Sequence, residues 1–344
     1  MTTARIDEAA ETLVIAGAGQ RPTTAELIGP RARVDARVTG GGKTWKATFP
    51  LRASRWGGPE LPLPTGDYEL RIAGAEFGDL LIAPEVLAGV RIAVDGATVR
   101  IAAPIDPAYE TSEGQATLEG RYVAHPGATE NAVFFESFYG RTVGCNPQAI
   151  DRALFAQAPD VVRYWSVVDL SVAVPDGAIA VVEGSPEWWR ARAASRLLVV
   201  NDWLRRRFVR KPGQKVLQTW HGTPLKRLAL HRPGFDPRRM AAVVKESRRW
   251  DVLLAQNTYS ERILRKAYAF FGRPIWVEGY PRNDALVTGD AAGIRGDLGI
   301  ADGERVLLYA PTWRDDLTEM VDFIDPEELL SLIHISEPTR QAEI

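Results

Sequence analysis

A single cysteine, Cys145, in 344 residues leaves no internal disulfide framework and no multi-cysteine zinc site, which fits a reducing cytoplasm. No run approaches the roughly 18 apolar residues needed to span a bilayer, and no N-terminal stretch joins a basic start to an apolar core. The sequence therefore reads as neither integral to a membrane nor secreted by a visible signal. Acidic clusters with metal-ligand spacing are also missing, so neither a metal nor a cofactor is expected. The net charge of −2 is small, but it hides an asymmetry: between Pro186 and Ile275 there are 21 Lys and Arg against 6 Asp and Glu, half of the chain's 42 basic residues. The densest part is Arg205, Arg206, Arg207, Arg210 and Lys211. It reads as a patch for anionic ligands or an anionic membrane surface, with a solvated helical face as the alternative. No stacking-aromatic motif is interleaved with these residues, which argues against a nucleic-acid partner.

What is present divides in two. With 45% hydrophobic and 25% charged residues the composition is that of a globular protein, and the length suits two or three domains. Residues 1–127 carry short alternating runs, Arg33–Val38, Thr44–Phe49, Asp67–Ile72, Val90–Val94 and Thr98–Ile101, separated by Gly- and Pro-rich turns. Period 2 with regular punctuation predicts an all-β sandwich or barrel. No cluster of catalytic residue types lies in it, so it reads as an accessory or docking module or as a spacer. His125-Pro126-Gly127 predicts a linker.

From Asn131 the pattern changes to apolar runs alternating with helical stretches, the α/β signature, over 131–284. Strands are expected at Val133–Phe135, Val161–Val168, Ile179–Val182, Leu197–Asn201, Val216–Leu217, Val252–Asn257 and Ile275–Glu278. Helices are expected from Pro147, Glu187 and Asp236, and from a capping box at Thr258–Glu261 that places Ser260 in a helical first turn. A further strand at Val306–Ala310 is expected to open a second Rossmann-like domain over 303–330. Residues 331–344 resemble the translation of a sequencing-adapter fragment and are expected to form an unstructured, artefactual tail on a truncated chain.

The stretch Lys215–Leu228 organises the rest. A short buried strand ends on Thr219-Trp220-His221, Gly222 breaks it, and Thr223-Pro224 suits an N-cap and first helical position. Such a turn lies at the carboxyl end of a strand, where open α/β sheets bind ligands, with a helix N-terminus that favours phosphate. An imidazole, whose ordinary pKa is about 6.5, suits removal of a hydroxyl proton near neutral pH. The combination suggests phosphoryl transfer to an alcohol; a turn histidine bonded only to its own loop is the alternative. Gly222, Thr223 and Lys226 in the same turn, Ser260, Arg282 and Arg314 are the further phosphate-binding candidates, Arg282 through bidentate grip, with pairing to Asp284 as its alternative.

Gln218-Thr219-Trp220-His221-Gly222-Thr223-Pro224-Leu225-Lys226, Phe135-Glu136-Ser137-Phe138, Gly279-Tyr280-Pro281-Arg282-Asn283-Asp284 and Tyr309-Ala310-Pro311-Thr312-Trp313-Arg314 together resemble the CDP-glycerol glycerophosphotransferase family of teichoic acid polymerases and primases. The resemblance implies a GT-B fold of two Rossmann-like domains. It also implies a peripheral enzyme at the cytoplasmic face of the membrane, moving glycerol phosphate or a related polyol phosphate from its CDP ester to a hydroxyl of a lipid-linked acceptor. CMP is released, and His221 matches the family's catalytic base. Two departures stand out: Cys145-Asn146-Pro147 replaces the usual Asp-Asn-Pro, and the segment holding most CDP-binding residues is not in the sequence. A GT-B glycosyltransferase using a sugar nucleotide and a non-catalytic protein that binds anionic membranes are the alternative functions.

Overall fold

The computed structural model describes residues 2–308, apart from 56, 75, 76, 78 and 79. The chain divides into two compact units, Met1–Val287 and Thr288–Ile344. The first begins with twelve strands: β1 (Thr2–Asp7), β2 (Thr12–Ala18), β3 (Ala25–Ile28), β4 (Arg33–Asp35), β5 (Arg37–Gly41), β6 (Thr44–Pro50), β7 (Arg52–Ser54), β8 (Glu60–Pro62), β9 (Gly66–Ile72), β10 (Leu81–Leu87), β11 (Val90–Asp95) and β12 (Thr98–Ala102). They form antiparallel sheets in the orders β1-β2-β6-β5 and β10-β11-β12-β9-β3-β4, with β7 and β8 as a separate hairpin. The cause is the alternation. Trp45, Ala47 and Phe49 of β6 turn inward, as do Tyr68, Leu70 and Ile72 of β9, and the intervening residues do not. Side chains of both sheets meet in one core, Leu13, Ile15 and Phe49 from the first and Leu27, Ile92 and Val99 from the second.

Two expectations for this region are corrected. The run Arg33–Val38 is not one strand: the chain leaves one sheet after β4 and enters the other at β5, and the Ala36 N–H between them bonds the Ala25 carbonyl at 2.9 Å. The β structure also stops at Ala102, well short of residue 127. Asp106 caps a one-turn helix α1 (Pro107–Glu110) and Thr111 caps α2 (Ser112–Ala124), whose Leu118 and Tyr122 are buried in the core of the following domain. With two buried side chains in thirteen residues, α2 has little apolar periodicity to betray it in sequence.

Seven parallel strands follow: β13 (Glu130–Glu136), β14 (Val162–Val167), β15 (Ile179–Val182), β16 (Ser195–Val200), β17 (Lys215–Gln218), β18 (Val252–Ala255) and β19 (Ile275–Val277). Their order, β15-β14-β13-β16-β17-β18-β19, is that of a doubly wound sheet whose direction of winding reverses between β13 and β16. β13 is buried over its last five residues, as a strand covered on both faces must be. The connections carry α3 (Cys145–Gln157), α4 (Pro186–Ala194), α5 (Pro237–Ser247) and α6 (Thr258–Ala267). Ser185 and Asp236 cap α4 and α5, each ahead of a proline in the first helical turn. One face of the sheet packs on an aromatic core that includes Phe134, Trp188, Trp189 and Trp250. The unit boundary falls within α7 (Ala285–Thr288); the second unit contains α8 (Ala291–Asp297), capped by Asp290. The expected strand from Val306 is absent over Val306–Leu308, which are exposed, and Tyr309 onward, with Arg314 and the expected tail, lies outside the described residues.

The antiparallel sheets and the parallel sheet are tied together by Asp169, two residues past β14. Its carboxylate accepts from Arg31, from the Thr65 N–H at 2.9 Å, from Thr65 Oγ1 at 2.8 Å and from Ser171 Oγ at 2.6 Å. Burial alone would push this carboxyl up, but the bonds from Ser171, Thr65 and Arg31 outweigh it and hold its pKa below the ordinary value. Asp169→Asn is expected to cost roughly 2 kcal/mol, the scale of hydrogen bonds to a charged group. A folded-state pKa below the unfolded one stabilises fully above the ordinary carboxyl value of about 4 and is lost as pH falls through the depressed value. Chemical denaturation of wild type and Asp169→Asn from pH 7 down to pH 3 tests both statements; a variant as stable as wild type at neutral pH would refute them.

Candidate active site

The site forms where β13, β16 and β17 end, beside the reversal in winding. β17 runs in register with β16, Val199 opposite Leu217 and Val200 opposite Gln218, and the Thr219 N–H still bonds the Val200 carbonyl at 2.8 Å. The chain then turns at Trp220, which sits at φ +54°, a left-handed conformation that costs an aromatic residue energy. Surrounding groups over-determine it. The Trp220 N–H bonds Gln218 Oε1 at 2.9 Å, Gln218 Nε2 bonds the Asp202 carbonyl at 2.9 Å, and the amide of the fully buried Asn146 donates to the carbonyls of Thr219 (3.2 Å) and Trp220 (3.1 Å). The facing segment 137–145 is equally contorted. Phe138, Tyr139 and Cys145 also have positive φ, so these two loops hold four of the nine such non-glycine residues described. Gly140, at φ +72°, lies where a Cβ would come within 3.0 Å of the Ser166 carbonyl oxygen. Strain clustered in this way marks a place where side-chain aim outweighs local comfort.

What the turn aims is His221. Its ring stacks on Trp220 (centroids 4.7 Å apart, 20° between planes) and meets the Phe138 ring at 5.5 Å. Nδ1 lies 2.6 Å from the carbonyl oxygen of Asn201. A carbonyl can only accept, so Nδ1 carries the hydrogen and Nε2 keeps its lone pair. Asn201 is positioned in turn: its Oδ1 accepts the Phe138 N–H at 2.9 Å and its Nδ2 donates to Ser137 Oγ at 3.2 Å. On the other side, Arg282 Nη1 donates to the His221 carbonyl at 2.9 Å and lies 3.0 Å from Cys145 Sγ, while the Tyr280 hydroxyl donates to the Gly222 carbonyl at 3.0 Å. Burial pushes the Tyr280 phenol up to about 12, so it remains a donor at any working pH.

The sequence-derived candidates divide accordingly. His221, Gly222, Thr223 and Arg282 are brought together, and a Cβ on Gly222 would meet nothing within 4 Å, so the space beside it is open. Lys226 is exposed on the same loop. The expected basic helix after Thr223 does not form: residues 223–228 are irregular, and Thr223 Oγ1 donates to Gln256 Oε1 at 2.7 Å rather than capping a helix. The helix dipole invoked there is therefore absent. Ser260 is corrected as a phosphate ligand. The cap of α6 is Asn257, one residue earlier than expected, its Oδ1 takes the Ser260 N–H at 2.9 Å, and Ser260 itself is fully buried.

The cluster at 205–211 is not one open basic patch either, because most of it serves internal pairing. Arg205 pairs with Glu183, bonds the Tyr139 carbonyl at 2.9 Å and lies over the Tyr139 ring, and Arg206 pairs with Glu183 at 2.9 Å. Arg210 pairs with Asp251, and Lys211 is buried with its ammonium on the carbonyls of Tyr122, Val123 and His125 at the end of α2. Arg207 alone of the five is exposed without a partner among the described residues. The residues that sequence reasoning missed are Asn146, Asn201 and Tyr280. Asn201 carried a signal, a polar residue ending a strand next to the reversal of winding; Asn146 and Tyr280 stood in quoted motifs without an assigned role.

A family model described as CDP-glycerol:poly(glycerophosphate) glycerophosphotransferase matches residues 120–336. A teichoic acid poly(glycerol phosphate) polymerase of Bacillus subtilis is 38% identical over 197 residues, 54% of this chain and 26% of that protein. A teichoic acid glycerol-phosphate transferase of Staphylococcus aureus is 32% identical over 212 residues, 54% of this chain and 51% of that protein. The chain thus spans about a quarter to a half of the length of these relatives. Among solved structures, the wall teichoic acid polymerase TagF is similar at a TM-score of 0.58 and 30% identity, covering 65% of this chain and 59% of TagF. A histidine-to-asparagine variant of TagF soaked with CDPG is similar at a TM-score of 0.53. The matched residues include every described loop that builds the histidine turn, and the chain belongs to the CDP-glycerol:poly(glycerophosphate) glycerophosphotransferase family.

Proposed function

We propose that this chain carries the acceptor-side half of a transferase that moves glycerol phosphate, or a related polyol phosphate, from its CDP ester to a hydroxyl of a lipid-linked teichoic-acid-type acceptor. The observation that carries the reading is the His221 Nδ1 contact with the Asn201 carbonyl, which leaves Nε2 of the neutral ring as a proton acceptor in a turn whose next residue, Gly222, borders open space. In the proposed step Nε2 takes the proton from the acceptor hydroxyl as that oxygen attacks the glycerol-bearing phosphorus in line. A new P–O bond forms, the bond to the bridging oxygen breaks, and CMP leaves with the electron pair. The Asn201 carbonyl stabilises the imidazolium through the proton on Nδ1. Arg282, already fixed on the His221 carbonyl, and Lys226 supply positive charge for the phosphate oxygens.

The reading extends to a GT-B arrangement, in which residues from 303 onward begin the nucleotide-binding domain and the antiparallel sheets form a sandwich-like accessory module. It places the protein peripherally at the cytoplasmic face of the membrane. No helix among the described residues is long and apolar enough to cross a bilayer. The family's description names CDP-glycerol, which supports the donor, and a histidine-to-asparagine variant of TagF was soaked with CDPG.

Two measurements follow, each on protein carrying this chain at the full length of its relatives. His221→Ala is expected to lower the rate of CMP release from CDP-glycerol by ~10²–10⁴-fold, the usual worth of a general base, with unchanged thermal stability. Normal turnover by the variant, or UDP release from UDP-sugars in place of CMP release, would sink the proposal. Asn146→Ala removes two of the bonds that hold the strained turn. It is expected to cost about 2 kcal/mol of stability and on the order of 10²-fold in turnover through misplacement of His221. A variant that lost stability but kept wild-type turnover would show that Asn146 does not position the base.

A further inference from the structure

Between the antiparallel sheets and the parallel-sheet domain lies a cavity of about 720 Å³, within the ~300–1,000 Å³ range of small-molecule sites. Among the described residues its lining contains three arginines and no acidic residue. Arg31 and Arg55 come from the N-terminal sheets, outside the residues matched by the family model, and Arg141 comes from the loop after β13. Two of the three are held in place. Arg31 is paired with Asp169, and Arg55 Nη2 donates to the Ser171 carbonyl at 2.7 Å. Arg141 is exposed and has no partner among the described residues. Asp169 offsets the charge of Arg31 while the Arg141 side chain stays available to a ligand, so the cavity presents positive charge on a partly preorganised frame. The lining also includes the aliphatic Ala53, Leu61 and Val143. A lining both cationic and aliphatic matches a ligand that carries phosphates joined by short carbon segments.

The cavity is linked to the histidine turn by one stretch of chain. Residues 137–145 place Phe138 against the His221 ring and Arg141 in the cavity wall, and the stretch is braced by the bond from Ser137 Oγ to the Gly144 carbonyl at 3.1 Å. We propose that this inter-module cavity is a binding site for a phosphodiester-linked polyol chain, holding a segment of the acceptor upstream of the hydroxyl that reacts at His221. The proposal rests on the functional reading above for the identity of the acceptor, but not for the existence of the anion site.

The test uses the 344-residue chain and calorimetric titration with a soluble glycerol phosphate oligomer, with inorganic phosphate and phosphatidylglycerol vesicles as parallel probes. Arg141→Gln is expected to weaken oligomer binding about tenfold, the worth of one charge-assisted hydrogen bond, and added salt should weaken wild-type binding. Arg262→Gln, an exposed charge on α6 outside the cavity lining, should bind as wild type. Equal effects of the two substitutions would replace the site with diffuse attraction, and undetectable oligomer binding would overturn it outright. Phosphate binding as tight as the oligomer would reduce it to an isolated anion site, and an Arg141 effect confined to vesicles would assign the cavity to a lipid headgroup. Either of those two outcomes also overturns the chain assignment. If Arg141→Gln weakens oligomer binding while CMP release proves independent of His221, the cavity stands and the catalytic reading falls. The opposite pattern removes the cavity alone.

Discussion

One backbone carbonyl, that of Asn201, decides the chemical character of the site. Because it can only accept, it determines which imidazole nitrogen of His221 carries the hydrogen in the neutral ring, and leaves the lone pair on the other nitrogen. The surrounding architecture serves that single contact. The parallel register of β16 and β17 brings Asn201 and His221 to the same end of the sheet, the reversal of winding at β13 and β16 keeps that end open, and Asn146 and Gln218 hold Trp220 in its left-handed conformation. Arg282 then closes the assembly from the far edge through the His221 carbonyl.

Much of this could be read from the chain. The parallel strands were visible because strands buried on both faces are nearly continuous apolar runs, and the turn at His221 was visible because a strand followed by Gly and Pro has few other outcomes. The helix expected after Pro224 fails for a reason local rules do not contain: Thr223 spends its hydroxyl on Gln256, a residue 33 positions away, and Leu225 stays exposed. Ser260 illustrates the same limit by a shift of one residue, since capping by Asn257 instead of Thr258 turns a first-turn serine from the mouth of the site into the core. The split of Arg33–Val38 between two sheets depends on partners elsewhere in the fold and leaves no mark in the alternation itself.

The basic segment 205–211 shows why a count of charges is a weak guide to a surface. Glu183 pairs with two of its arginines and Asp251 with a third, and the lysine completes the carbonyl end of a helix nearly ninety residues earlier in the chain. The cations that remain available near the site are fewer and more dispersed: Arg141, Lys226 and Arg282 are each exposed on a different loop. They surround the ends of β13, β17 and β19, so the field they make is directed at the mouth of the sheet and not spread along one helix.

The strand order also constrains how the protein can be made. β13 takes its two partners from residues 162–167 and 195–200, so its hydrogen bonds on the second side cannot form until synthesis has passed Val200. The antiparallel sheets close entirely within the first 102 residues and can fold on the emerging chain while β13 is still unpaired. Asp169 emerges between these events, after both of its N-terminal partners are in place and before the sheet it belongs to is complete. A module that folds early thus offers a docking point just past β14, the first partner of the still half-paired β13, and the order of translation becomes part of how a slow, non-local sheet reaches its register.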